Sequence, residues 1–124
     1  MSRSALAALL AGTLIVNACV ADTRPEACDE PSITVEVTLT STSLTPSDPG
    51  VCRGQEVTLV VTSEVDGFLH LHGYDEHVPV TEVAAGEEER LTFVAAQSGQ
   101  FPIEIHPADD PEGVGVGVFT VYEP

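Results

Sequence analysis

From Ile33 to Leu39 apolar and polar residues alternate without a break, with Ile33, Val35, Val37 and Leu39 interleaved by Thr34, Glu36 and Thr38. A period of two puts each set on its own side of an extended chain, so this stretch predicts a strand with one buried face. The same pattern runs through Val57, Leu59 and Val61 of EVTLVVT and returns in FLHLH, RLTFVA, FPIEI and VGVFTVY. Between these runs lie Asp66-Gly67, Ser98-Gly99 and the loop HPADDPEG, while STSLTPSDPG reads as a turn-rich connection. No window carries the 3.6-residue period of an amphipathic helix. Six or seven short strands over about 95 residues predict an all-β, antiparallel-rich β-sandwich, a single domain over residues 32–124.

The N-terminal pattern is different. Arg3 is followed by the apolar run Ala5–Val16, long enough for the core of an export signal and too short to span a bilayer. The run ends in Val16-Asn17-Ala18-Cys19, which resembles a bacterial lipobox, with Asn17 an unusual residue at its position. The expectation is a signal peptide over 1–18, a lipidated Cys19, and a polar, proline-punctuated tether over 19–31 leading to an extracytoplasmic domain, in the periplasm or on the cell surface. Ordinary cleavage after Ala18 or Ala21 is the alternative. Giving Cys19 to the lipid leaves Cys28 and Cys52, an even pair in an oxidising compartment, and hence an expected disulfide. Each of these cysteines precedes a strand, so the bond would bring two strand beginnings together. A simple hairpin separates such beginnings by the length of a strand; a Greek key with parallel or facing strands does not.

Charge narrows the functions. The chain from Cys19 on retains all 20 acidic residues but only Arg24, Arg53 and Arg90, a net of −17 with neutral histidines and without a single lysine. Nucleic acid and anionic headgroups are thereby disfavoured as partners, because no basic patch exists to displace counterions from phosphates. The only membrane contact expected is the lipid anchor. There is no G-x-S-x-G element, and the serines cluster in turns, so side-chain catalysis has no support and a non-enzymatic role is expected. The segment Asp109–Gly113 lacks the alternating oxygen donors of a calcium loop.

From Asp66 onward the series His70 or His72, Val83-Ala84-Ala85-Gly86, Phe93, Ser98-Gly99, Phe101 and His106 resembles the second half of a cupredoxin domain, in the pattern of cytochrome oxidase subunit II and nitrous oxide reductase. The resemblance implies a cupredoxin-like sandwich whose first and third strands run parallel. It also implies a thiolate ligand at the position of Ile105, where this chain has none. No histidine follows His106, and the only methionine is Met1. A blue-copper centre needs that thiolate, so electron transfer of the blue type is excluded.

Parity then places the histidines. If Leu69 and Leu71 face the core, His70 and His72 face outward; if Phe101, Ile103 and Ile105 are buried, Glu104 and His106 are not. The cupredoxin strand order makes these two strands neighbours. Imidazoles at i and i+2 lie about 6.5–7 Å apart and can reach one ion. The candidate metal ligands are therefore His70, His72 and His106, with Asp75 and Glu104 available to orient imidazoles or donate an oxygen, and His77 a loop histidine that could join them. Such donors suit Cu(II) first and Zn(II) next. Copper handling or delivery at the cell envelope is the function expected from this set. The alternatives are a metal-free interaction or structural module at the envelope and a redox enzyme built on an open, non-blue copper.

Overall fold

The computed structural model describes residues 26–110 and 112–124. The expected signal peptide, Cys19 and the first part of the tether lie outside these residues. Among the described residues a 3₁₀ turn, Glu26–Asp29, precedes nine strands: β1 (Ser32–Leu39), β2 (Leu44–Thr45), β3 (Gly50–Cys52), β4 (Glu56–Ser63), β5 (Gly67–Leu71), β6 (Thr81–Val83), β7 (Glu88–Val94), β8 (Gly99–Pro107) and β9 (Val114–Tyr122). They form two sheets, one in the order β2-β1-β4-β7 and one in the order β3-β9-β8-β5-β6. Sequential strands change sheets and neighbours are often distant in sequence, so the all-β sandwich is a Greek key, as its periodicity and cysteines predict.

β1 and β4 run parallel in unbroken register from Ser32 opposite Glu56 to Leu39 opposite Ser63. The Cys28–Cys52 disulfide, with Cα atoms 5.3 Å apart, joins the approaches to these two strands. Gln55, one of two buried polar residues among the described residues, reinforces the junction. Its Nε2 donates to the carbonyls of Ala27 and Glu30, and its Oε1 accepts from the Cys52 N–H. The last residues of the segment read as a tether are thus docked on the sandwich.

Three strands fall where the sequence reading placed connections. β2 and β3 sit in and just after STSLTPSDPG, and β6 precedes the turn at Gly86. At two or three residues they are too short to display a period; long-range pairing makes them, β3 lying parallel to β9 and β2 antiparallel to β1.

The core between the sheets takes Val37, Leu39, Val57, Leu59, Val61 and Phe93 from one side and Leu69, Leu71, Ile103, Ile105, Phe119 and Val121 from the other. Among the aromatics at its centre is Tyr74, which has no accessible surface and meets Phe101, Phe93 and Phe119 edge-on at centroid distances of 4.5–5.8 Å. Such edge-to-face contacts add to area burial. Its hydroxyl donates to the Gln97 carbonyl and accepts from the Gln97 N–H. On the second sheet β5 and β8 approach closely at Gly67: a Cβ there would strike the His106 carbonyl and lie 3.0 Å from Pro107 Cα. The missing side chain lets the two histidine-bearing strands meet.

Candidate metal centre

Alternation on β5 buries Leu69 and Leu71 and turns Phe68, His70 and the following His72 to the outer face of the second sheet. β8 does the same with Phe101, Ile103 and Ile105 inward and Glu104 and His106 outward. The strands are antiparallel neighbours, with His70 opposite Glu104 and Phe68 opposite His106. His106 is therefore the diagonal neighbour of His70, close enough on one face for side chains to meet. A register shift between Ile103 and Glu104 in the pairing with β9 falls at this place, and such bulges re-aim side chains locally.

The side chains converge as parity predicts. One ligand atom from each of His70, Glu104 and His106 lies within 4.8 Å of the other two. The His70 and His72 rings are 4.0 Å apart and the His70 and His106 rings 6.4 Å. Glu104 Oε2 is the common point, 2.7 Å from His72 Nε2 and 3.4 Å from His106 Nε2. The His72 side chain is 42% exposed, yet its Nε2 is shielded from solvent and has no hydrogen-bond partner. Its approach to Glu104 is short but off the line of a hydrogen bond, so two donor atoms face one region without being joined to each other.

Asp75 enters from the turn after β5. Tyr74 is fixed in the core immediately before it, and Asp75 Oδ1 meets His70 Nε2 at 2.5 Å. In the tautomer that gives Nε2 the proton, His70 keeps its lone pair on Nδ1, the arrangement by which a carboxylate orients an imidazole ligand. The His70 hydrogen bond holds the Asp75 carboxyl below its ordinary value, with burial opposing. Glu104 is also lowered, first by the His72 contact and then by the charges of His72, His106 and His70, with burial opposing. Both carboxylates are thus ready to face a cation.

Of the residues singled out in the sequence, His70, His72, His106, Glu104 and Asp75 are brought together. His77 is not: its ring packs 5.1 Å from that of Tyr74, and it lines a surface hollow with Gly73, Asp75, Glu76 and Gln97. Sequence reasoning gave Glu104 an auxiliary part, and the geometry puts it at the centre of the group. The signal was available, since Glu104 and His106 are separated by one residue just as His70 and His72 are. The part of Tyr74 in placing Asp75 was missed, because a tyrosine after a glycine in a polar loop carries no periodic mark. The thiolate position of the cupredoxin pattern holds Ile105, which is fully buried, and Cys28 and Cys52 are joined to each other. Nitrogen and oxygen are the donors gathered here.

No protein-family pattern matches this chain, and no curated protein does. Solved structures do. A blue copper oxidase from Nitrosomonas europaea superposes with a TM-score of 0.57 at 15% identity over 74% of this chain and 39% of its own. A second multicopper oxidase gives 0.57 at 18% identity over the same shares. The metal-binding domain of a Cu(I)-exporting P-type ATPase from Streptococcus pneumoniae, solved with Cu(I), gives 0.54 at 13% identity over 76% of this chain and 89% of its own. The chain thus spans about two fifths of the oxidases and most of the ATPase domain. At such identities the likeness is one of architecture, and it agrees with the two sheets, the parallel β1–β4 pair and the sequence resemblance: the chain has the cupredoxin-like fold.

Proposed function

We propose that this protein is an exported, lipid-anchored domain that carries a divalent copper ion at the bacterial cell envelope through His70, Glu104 and His106, with His72 at the margin of the site and Asp75 orienting His70. The observation that carries the reading is the convergence of three ligand atoms within 4.8 Å on one exposed sheet face. The donors fit the ion: imidazole nitrogen and carboxylate oxygen without thiolate favour Cu(II) over the other common divalent ions, with Zn(II) next. The solved domains of this fold that bind or use copper lend support. His70, Glu104 and His106 are all partly open to solvent, which suits an ion that is taken up and passed on as cargo. Copper bound here would be held in a non-blue site, and no reaction is assigned to the domain.

A second reading has one observation in its favour. His70 and Asp75 are an imidazole–carboxylate pair that satisfy one another without an ion, as a metal-free interaction module would require. Isothermal titration of the apoprotein with Cu(II) under a competing chelator separates the two. The copper reading expects one equivalent bound, at least about tenfold weaker in His70→Ala or His106→Ala, with His77→Ala close to the parent. Unchanged binding in all three variants would leave the interaction module standing.

A further inference from the structure

We infer that Gly113, at the end of the β8–β9 loop, is a positioning residue of this centre: its lack of a side chain is what lets Glu104 and His106 face a common point. The inference rests on the copper reading above. A Cβ built on Gly113 would lie 2.7 Å from His106 Cε1, 2.8 Å from Glu104 Oε2 and 2.9 Å from His106 Nε2. Those are two of the converging donors and the His106 ring carbon bonded to one of them. The Gly113 backbone therefore forms a wall against the atoms that would hold the ion, at a distance no other residue type allows.

The nature of the clash decides its consequence. The atoms met are the far ends of two side chains and belong to no strand backbone, in contrast to Gly67, where a Cβ would strike the β8 main chain. An added methyl group at 113 can be accommodated by rotating the His106 ring and the Glu104 carboxylate aside. The fold is spared and the ligand set is dispersed. Gly115, two residues further along and paired with Glu104 across the bulge, has nothing within 4 Å of its Cβ position. It supplies a control with the same substitution, two residues away at an open position on β9.

The test compares the parent, Gly113→Ala and Gly115→Ala in three measurements: Cu(II) affinity by titration against a chelator, the Cu(II) electron paramagnetic resonance spectrum, and the melting temperature of the apoprotein. Gly113→Ala is expected to bind Cu(II) at least about tenfold more weakly, about 1.4 kcal/mol, with an altered copper hyperfine splitting and an apoprotein melting temperature within a few degrees of the parent. Gly115→Ala is expected to match the parent in affinity and spectrum. A parent that binds and a Gly113→Ala variant that binds equally well with the same spectrum overturn this inference and leave the copper reading intact. A parent that does not bind Cu(II) overturns both. A Gly113→Ala variant that fails to fold, or whose melting temperature falls in step with affinity, also overturns the inference, since the residue would then serve the fold.

Discussion

Replacing Tyr74 by phenylalanine isolates one hydroxyl at the point where the core meets the candidate site. The ring has no accessible surface and rests against Phe93, Phe101 and Phe119, and phenylalanine keeps all of that packing. What is lost is the pair of hydrogen bonds to Gln97, at 3.0 Å to its carbonyl and 3.1 Å from its N–H. Leaving a buried backbone group without its partner costs about 1–3 kcal/mol, the lower part of the range applying where water can reach the orphaned group. Gln97 is itself exposed, so about 1–2 kcal/mol is expected for the pair. For a domain of this size that is a fall in melting temperature of roughly 4–15 °C. Tyr74→Ala removes the ring as well and is expected to cost about 3–5 kcal/mol. Urea unfolding with the disulfide intact, at an unchanged dependence on denaturant, gives both numbers. Asp75 follows Tyr74 directly, so Tyr74→Ala should also weaken Cu(II) binding, while Tyr74→Phe should leave it near the parent value. A loss below about 0.5 kcal/mol for Tyr74→Phe, or equal losses for the two variants, would refute the reasoning.

Removing the Cys28–Cys52 bond opens a loop with a sequence separation of 24 and should lower stability by roughly 3–4 kcal/mol on the chain-entropy account; melting of the protein with and without reductant measures it. Gly67→Ala sets a Cβ against the β8 main chain and is expected to cost more than about 2 kcal/mol, seen as a large drop in denaturation midpoint. Asp75, Glu104 and Glu123 are all held below their ordinary values of 3.8, 4.5 and 4.5, by His70, by His72 and by Ser98 with Arg53 respectively. A carboxyl lowered by folding contributes stability above its ordinary value and loses it as pH falls through the lowered one. The acid limb of the stability profile should therefore steepen below about pH 4.5 and flatten in Glu104→Gln, as melting from pH 7 to pH 2 would show. For the expected anchor, intact-mass spectrometry of the membrane fraction should find a diacyl or triacyl addition on Cys19, and an unmodified terminus there would remove the lipid from the account.

The long strands were legible because each carries enough residues to show a period. Ile33 to Leu39 and Phe101 to Ile105 announce both their extension and their buried face, and from that parity the outward direction of His70, His72, Glu104 and His106 follows. The cysteines, a covalent constraint that periodicity does not contain, limited β1 and β4 to a parallel or a facing arrangement, and the cupredoxin resemblance implied the parallel one that is found. β2, β3 and β6 were not legible, because two or three residues held by distant partners leave no local pattern. The hub position of Glu104 was only half legible. Its face could be read, but its place opposite His70 depends on the β5–β8 register, which no local pattern displays. His77 shows the converse: proximity in sequence to His70 and His72 did not bring it to the site, because the turn through Gly73 and Tyr74 carries the chain away from the sheet face.

The most direct test of the central claim is the electron paramagnetic resonance spectrum of the protein loaded with one equivalent of Cu(II), recorded for the parent and for His70→Ala, Glu104→Ala and His106→Ala. The account expects a single non-blue signal with splitting from imidazole nitrogens in the parent, and loss or replacement of that signal in each variant. A parent that leaves Cu(II) in solution, or variants whose bound spectra coincide with the parent's, would contradict it.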